Sequence, residues 1–319
     1  MSIKTGRLGW LGIALETTAG APLAPVAYVP FLEDSLMEKQ GVLADVSARG
    51  TRDQNPENSQ LGKRWGEGSI KVNMDATVAP YFFAMAMGSR TPVSQGSGVY
   101  LHTFTRLNSN TPQTATLTFD RVTDRQAFPY SVMNSMEVNF DEAFAEVSAN
   151  ILSRFPSPSV SGTLTTTSGM YYAFRHAQIS VGNTVATANT TLKLKAFKLT
   201  VNNNAETYYV AGNRDADAII QKNFAVSGSF TVAFESTTQR DNFNNLSKQA
   251  IVVNFVGNGI GGGLNEQINF RLYKVRIDEL KTNVPIDSYI SQEISFTGEY
   301  SSADGSTMDI QVQNTVASY

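Results

Sequence analysis

The chain has 319 residues, 41% hydrophobic and 17% charged, a globular composition that excludes a fibrous or disordered protein. Its net charge of -3 is evenly spread: residues 1–160 carry 13 basic and 15 acidic side chains and the remainder 12 and 13, so neither half reads as a basic nucleic-acid module. There is no cysteine, which excludes a disulfide scaffold, a thiolate zinc site and thiol catalysis.

In chain order, Lys4 and Arg7 precede the apolar run Leu8 to Leu15, and Ala19-Gly20-Ala21 follows, in the outline of a signal peptide. The run is short, contains Gly9 and Gly12 and is closed by Glu16, so the expectation is an apolar strand packed on the body. No stretch approaches the ~20 apolar residues of a membrane helix. The longest uncharged candidate, 17–32, holds Pro22, Pro25 and Pro30. Residues 45–67 are polar, with little apolar beyond Leu61 and Trp65, and read as a long functional loop.

A strand–helix beat then occurs twice. Gly68-Ser69-Ile70-Lys71-Val72-Asn73-Met74-Asp75 alternates polar and apolar and runs into a helical stretch at 77–87, with Pro80 in the first turn. Gly228-Ser229-Phe230-Thr231-Val232-Ala233-Phe234-Glu235 does the same and runs into 236–248, where Ser236 or Thr237 can cap a helix. Further period-two segments lie at 115–119, 135–140, 192–201, 272–277 and 293–300, rich in Thr, Val and aromatic residues. Ser135 to Asp141 parallels Tyr273 to Asp278. The reading is two similar β units, 1–160 and 161–319, each with its own core and one helix, joined by the semi-rigid Phe155-Pro156-Ser157-Pro158-Ser159.

Catalytic signals are weak. Gly257-Asn258-Gly259-Ile260-Gly261-Gly262-Gly263 satisfies G-x-G-x-x-G after a strand, but a dinucleotide site needs a helix next. Residues 265–272 alternate like a strand instead, so a glycine-rich hairpin is expected. His102 and His176 sit beside aromatics in unrelated strands and make a poor metal pair. Asp141-Glu142 and Asp278-Glu279 could suggest a glycosidase dyad. Strand neighbours point to opposite faces, however, which favours turn or surface roles. No G-x-S-x-G, H-E-x-x-H or Walker motif occurs. The chain is read as a non-enzyme, with no cofactor and no metal.

The segment Gly9 to Pro22, followed by Tyr28-Val29-Pro30-Phe31, resembles the opening of tail tube proteins of long-tailed, non-contractile bacteriophages. Gly66-Glu67-Gly68-Ser69-Ile70 with a helix ending at Gly88, then Tyr100-Leu101-His102-Thr103-Phe104 and Phe128-Pro129-Tyr130-Ser131-Val132-Met133, continue the likeness. Residues 1–155 carry most of it, and 196–300 match more loosely as a second copy. The resemblance implies a mainly β fold, here two tandem β-sandwich units each with one flanking helix, contributing strands to a barrel that closes across subunits. It implies stacked rings, trimeric or hexameric, forming a conduit for genome ejection in a virion tail assembled in the host cytoplasm. The partners implied are further copies of the chain, tape measure, tail terminator and tail-tip proteins, with DNA passing through unbound and no membrane. Other phage β-rich proteins, a capsid decoration or fibre subunit, are the alternative. A carbohydrate-binding or hydrolytic β protein is a third class.

Within that frame Arg49, Arg52, Lys63, Arg64 and Trp65 are expected to contact another subunit or ring. In the strand 136–141, Met136, Val138 and Phe140 should face the core and Glu137, Asn139 and Asp141 the channel. Lys71, Asn73 and Asp75 are the candidates on the neighbouring strand, and Lys274, Arg276 and Asp278 in the second unit. A conduit must not grip phosphate, so a neutral or acidic lumen is expected.

Overall fold

Alternation of β-branched and aromatic residues with Ser, Thr and Asn builds strands with one apolar and one polar face, and strands dominate the computed structural model. It describes residues 5–53, 57–158 and 169–319; Lys4, Ser159 and the expected boundary at 160/161 lie outside the described residues. The first half contains β1 (Trp10–Leu15), β2 (Ala27–Val29), β3 (Glu33–Asp34), β4 (Met37–Leu43), β5 (Gln60–Asn73), α1 (Ala79–Met87), β6 (Gly88–Gly96), β7 (Val99–Arg106), β8 (Ala115–Asp120), β9 (Arg125–Asp141), β10 (Glu146–Ser153) and β11 (Ser157–Pro158). The second contains β12 (Ala177–Gly182), β13 (Thr190–Leu192), β14 (Leu194–Asn202), β15 (Glu206–Tyr208), β16 (Ala218–Ile220), β17 (Ala225–Ala233), α2 (Thr238–Asn244), β18 (Gln249–Gly261), β19 (Leu264–Asn283), β20 (Ser291–Gly298) and β21 (Met308–Asn314).

All pairings between these strands are antiparallel, and their order recurs. In the first half β3 and β4 pair with β5, β5 with β10, and β10 with β9. In the second, β14 pairs with β17, β17 with β20, and β20 with β19. These two quartets are joined edge to edge by β9 on β14. A second layer repeats likewise: β2–β1–β8–β9 in the first half and β13–β12–β18–β19 in the second. The long strands β9 and β19 therefore each run through both layers.

The register of the recurrence is tight. Gly68 stands opposite Ile151 and Gly228 opposite Phe296. A one-residue bulge follows on each long strand, skipping Asn134 between Met133 and Ser135 and Asp278 between Ile277 and Glu279. A Cβ on Gly68 would penetrate the Ser35 carbonyl oxygen, and one on Gly228 that of Lys198, so the neighbouring strand crosses each glycine too closely for any side chain. By this register 133–139 corresponds to 277–283, six or seven residues further along than the parallel between 135–141 and 273–278 suggested. The register on β18 shifts between Val275 and Leu272, a bulge that hides the offset from sequence.

The two expected cores are one. Phe83 of α1 packs edge-on against Phe104 of β7 and Phe270 of β19 at 6.2 and 5.6 Å, and Phe140 of β9 against Phe255 of β18 at 5.5 Å, so the apolar cluster runs through both halves. β21 also crosses over, pairing with β7 on one side and β19 on the other. The helices differ. α1 (Ala-Pro-Tyr-Phe-Phe-Ala-Met-Ala-Met) is buried along almost its whole length, whereas the polar α2 buries only Gln239. Thr237 occupies the N-cap of α2, but its side chain makes no cap bond; its Oγ1 donates to the Asp241 carboxylate at 3.0 Å instead.

Candidate functional site

The widest feature of the molecule is the polar face of the joined quartets. On β5, β10, β9, β14, β17 and β20 the residues Val72, Val147, Val138, Leu199, Phe230 and Ile294 are buried. Their alternating neighbours therefore look the other way. Reading across the strands, Lys71 stands opposite Ser148, Ser148 opposite Glu137, Glu137 opposite Thr200, and Thr200 opposite Ser227. Thr297 and Arg276 continue that row. The next row carries Asn73, Glu146, Asn139, Lys198, Ser229 and Ser295. The result is an unbroken wall of hydroxyls, amides and charges.

Three cations of this wall are matched by nearby carboxylates. Lys71 Nζ lies 2.6 Å from Glu146, Lys198 Nζ 2.9 Å from Glu137, and Arg276 2.8 Å from Asp278 and 3.2 Å from Glu299. Lys281 stands opposite Glu293. Such pairs contribute little to stability at a wet surface. They leave few uncompensated cations to attract phosphate.

Most of the sequence-expected residues fall on this face. Glu137, Asn139, Asp141, Lys71, Asn73, Lys274 and Arg276 alternate with buried neighbours, and Asp278 is the bulge residue, whose carboxylate accepts from Arg276 and from the Thr297 hydroxyl at 2.5 Å. Asp75 is a correction. β5 ends at Asn73, the alternation stops, and Asp75 is 1% exposed, with Oδ1 accepting the N–H groups of Thr77 and Val78 at 2.7 and 2.6 Å ahead of α1. Burial holds its pKa above the ordinary carboxylate value despite these bonds, and Glu266, itself raised by burial, is pushed further by the Asp75 charge.

The expected loop at 45–67 is partly strand. Residues 60–67 belong to β5 and pair with β4, forming a hairpin arm; 54–56 lie outside the described residues. Apolar side chains at Leu61 and Trp65 alternate with polar ones, a strand signal hidden by the two glycines Gly62 and Gly66. The arm docks on its own chain. Arg64 makes a two-pronged pair with Asp215, 2.7 Å in each prong, and lies over the Phe155 ring at 4.7 Å. Lys63 lies over Tyr209 at 4.6 Å, and Arg214 donates to Gly62 O at 3.0 Å and Gln40 Oε1 at 2.8 Å. Trp65 Nε1 donates to Glu67 at 2.9 Å. Lys63, Arg64 and Trp65 thus have partners within the chain. Toward the tip Arg49 pairs with Asp45 and Glu57, and Arg52 is exposed.

The remaining motifs resolve as local structure. The glycine run is the β18–β19 hairpin, with positive φ at Gly261, Gly262 and Gly263. His102 is buried with Nε2 2.7 Å from Val316 O, and burial lowers its pKa; His176 Nδ1 accepts the Ala173 N–H at 2.9 Å. Among the described residues no three His, Asp or Glu side chains are grouped to hold a metal ion.

One residue that positions the wall was read only as a charge. Glu16 is 5% exposed and accepts four hydrogen bonds: Gly20 N–H (2.8 Å) and Thr114 Oγ1 (2.7 Å) on Oε2, Thr116 Oγ1 (2.7 Å) and Tyr130 N–H (3.0 Å) on Oε1. Tyr130 has φ 53°, and it marks where β9 passes from the second layer to the wall. Glu16 therefore pins the bend that aims Glu137 and Asn139. Over residues 6–298 the sequence matches the protein family described as phage tail tube protein, and no curated protein matches it.

Proposed function

This chain belongs to the phage tail tube protein family, a structural subunit of the virion tail, and from that premise we propose that the polar face of the two quartets lines the bore. The observation that carries this reading is the charge pairing of that face: Lys71, Lys198 and Arg276 are each tied to a carboxylate of the same wall. DNA passing along it meets hydroxyls, amides and compensated charge rather than a cationic track.

In this proposal each chain supplies two tail-tube-like units, and three chains make a ring that imitates a hexamer. The recurrence of strand pairing supports the two-unit reading. Rings stack into the tube of a long-tailed, non-contractile phage, with tape measure, terminator and tip proteins as further partners. The tip of the β4–β5 arm, with Arg49, Arg52 and exposed Val46, reaches the next ring. The chain performs no catalysis in this role, and a decoration, fibre or carbohydrate-binding protein would have no need of an extended, internally neutralised wall.

The test is electron microscopy of the purified chain and of the variant Glu137→Lys with Asp141→Lys. Tubes are expected from both, with 137 and 141 facing the lumen, and genome release through the variant should be slower and recover with salt. Tubes carrying these side chains on the outer surface would refute the assignment.

A further inference from the structure

The joined quartets end in two open edges. Among the described residues, β3 and β4 pair only with β5 at one end. At the other end, Ile277–Asn283 of β19 pair only with β20. Unprotected edges of this kind are templates for pairing with another chain.

The junction inside the chain shows what fits them. β14 corresponds to β3 and β4, because Leu199 crosses Gly228 as Leu36 crosses Gly68, and both leucines are 0% exposed. β9 corresponds to β19 through the shared bulge at Asn134 and Asp278. β9 and β14 pair with Glu137 opposite Thr200 and Ser135 opposite Asn202. Carried across the two correspondences, Thr200 becomes Met37, Asn202 becomes Lys39, Glu137 becomes Lys281 and Ser135 becomes Glu279.

We propose that β4 of one chain pairs antiparallel with the C-terminal half of β19 of a second copy, Met37 opposite Lys281 and Lys39 opposite Glu279, so that the junction between chains repeats the β9–β14 junction within each. The proposal rests on the tube reading above and deepens it. The two edges lie at opposite ends of one sheet, so the contact is heterologous and propagates into a closed ring. Three features of the edges suit it. Ser35 N–H donates inward to Ser69 O at 2.9 Å, so by alternation the N–H groups of Leu36 and Glu38 face the open side. Leu36 N–H already has Asp34 Oδ1 at 2.9 Å, so pairing starts at Met37. Lys39 meets Glu279 with opposite charge, and exposed apolar side chains flank both edges, Met37 and Val42 on one and Val284 and Ile286 on the other.

The chain has no cysteine, so cross-linking tests the register directly. Met37 and Lys281 form a non-hydrogen-bonded pair in this register, with Cα atoms about 4.5 Å apart, within disulfide reach. In oxidised assemblies, Met37→Cys with Lys281→Cys and Lys39→Cys with Glu279→Cys should each give covalent multimers up to a closed trimer on a denaturing gel. Glu38→Cys with Lys281→Cys, slipped by one residue, should give none. Glu137→Cys with Thr200→Cys should close within one chain. Glu38→Pro, which removes an outward N–H, should leave a folded monomer that no longer assembles. Tubes that form from the unmodified chain, with no cross-link in either matched pair, with the slipped pair as reactive as they are, or with Glu38→Pro assembling normally, would overturn the edge assignment and leave the tube function standing. A chain that forms neither rings nor tubes would overturn both.

Discussion

Replacing Glu16 separates the roles of its two carboxylate oxygens. In Glu16→Gln the remaining carbonyl oxygen can keep the Thr116 hydroxyl and the Tyr130 N–H, each at its present distance of 2.7 and 3.0 Å. The new NH2 group then faces the Thr114 hydroxyl and the Gly20 N–H. A hydroxyl can rotate to accept, but a backbone N–H cannot, so one donor is left facing another. An orphaned buried donor costs about 1–3 kcal/mol. Glu16→Ala removes all four bonds at once and leaves two backbone donors, the Gly20 and Tyr130 N–H groups, without their acceptor, each at a cost of about 1–3 kcal/mol. The alanine variant should therefore lose roughly twice as much as the glutamine variant. Urea unfolding followed by tryptophan fluorescence reads both, since Trp10 lies on β1. Hydrogen exchange should show the extra opening centred on 128–132, where Tyr130 loses its anchor. Equal losses in the two variants, or a loss below about 1 kcal/mol in alanine, would refute the account of Glu16 as the pin of the β9 bend.

Two further substitutions test the packing and the buried charge. Gly68→Ala and Gly228→Ala should each destabilise the fold by about 1–3 kcal/mol or more, because the added methyl meets backbone carbonyls of Ser35 and Lys198 that cannot swing aside; thermal unfolding in which either variant matches the parent would contradict the close crossing. Asp75→Asn keeps an oxygen for the Thr77 and Val78 N–H groups and removes the charge that burial disfavours. A carboxyl whose folded pKa is raised contributes stability below its unfolded pKa, and that contribution is lost as pH rises through the folded value. The asparagine variant should thus gain on the parent from pH 4 to pH 7, and denaturant midpoints showing the gain growing toward acid would contradict the sign.

Much of the architecture was legible because it depends on local alternation. The beat at Gly68–Asn73 and Gly228–Ala233 occupies the same register in both quartets, and the glycine run after Val256 turns a hairpin as its following alternation required. What escaped was set by distant partners. The offset between β9 and β19 depends on a bulge near Tyr273 and Lys274 that no period reveals. Asp75 continues the polar positions of β5 on paper, but the chain has already turned toward α1. Arg64 looks like a loop cation until Asp215, 151 residues away, is brought beside it. Glu16 looks like the end of an apolar run, and only the return of Thr114, Thr116 and Tyr130 gives it a role.

The long strands have a mechanical meaning. β9 spans Arg125–Asp141 and β19 spans Leu264–Asn283, and each is a single covalent rod belonging to the second layer at one end and to the wall at the other. A pull on the second layer therefore reaches the polar face through main-chain bonds, which stretch far less than side-chain contacts slip. The bends at Tyr130 and near Tyr273 are the points where each rod changes layer. With the polar face lining the bore as proposed above, strain imposed at one end of a stacked column would travel along these same rods.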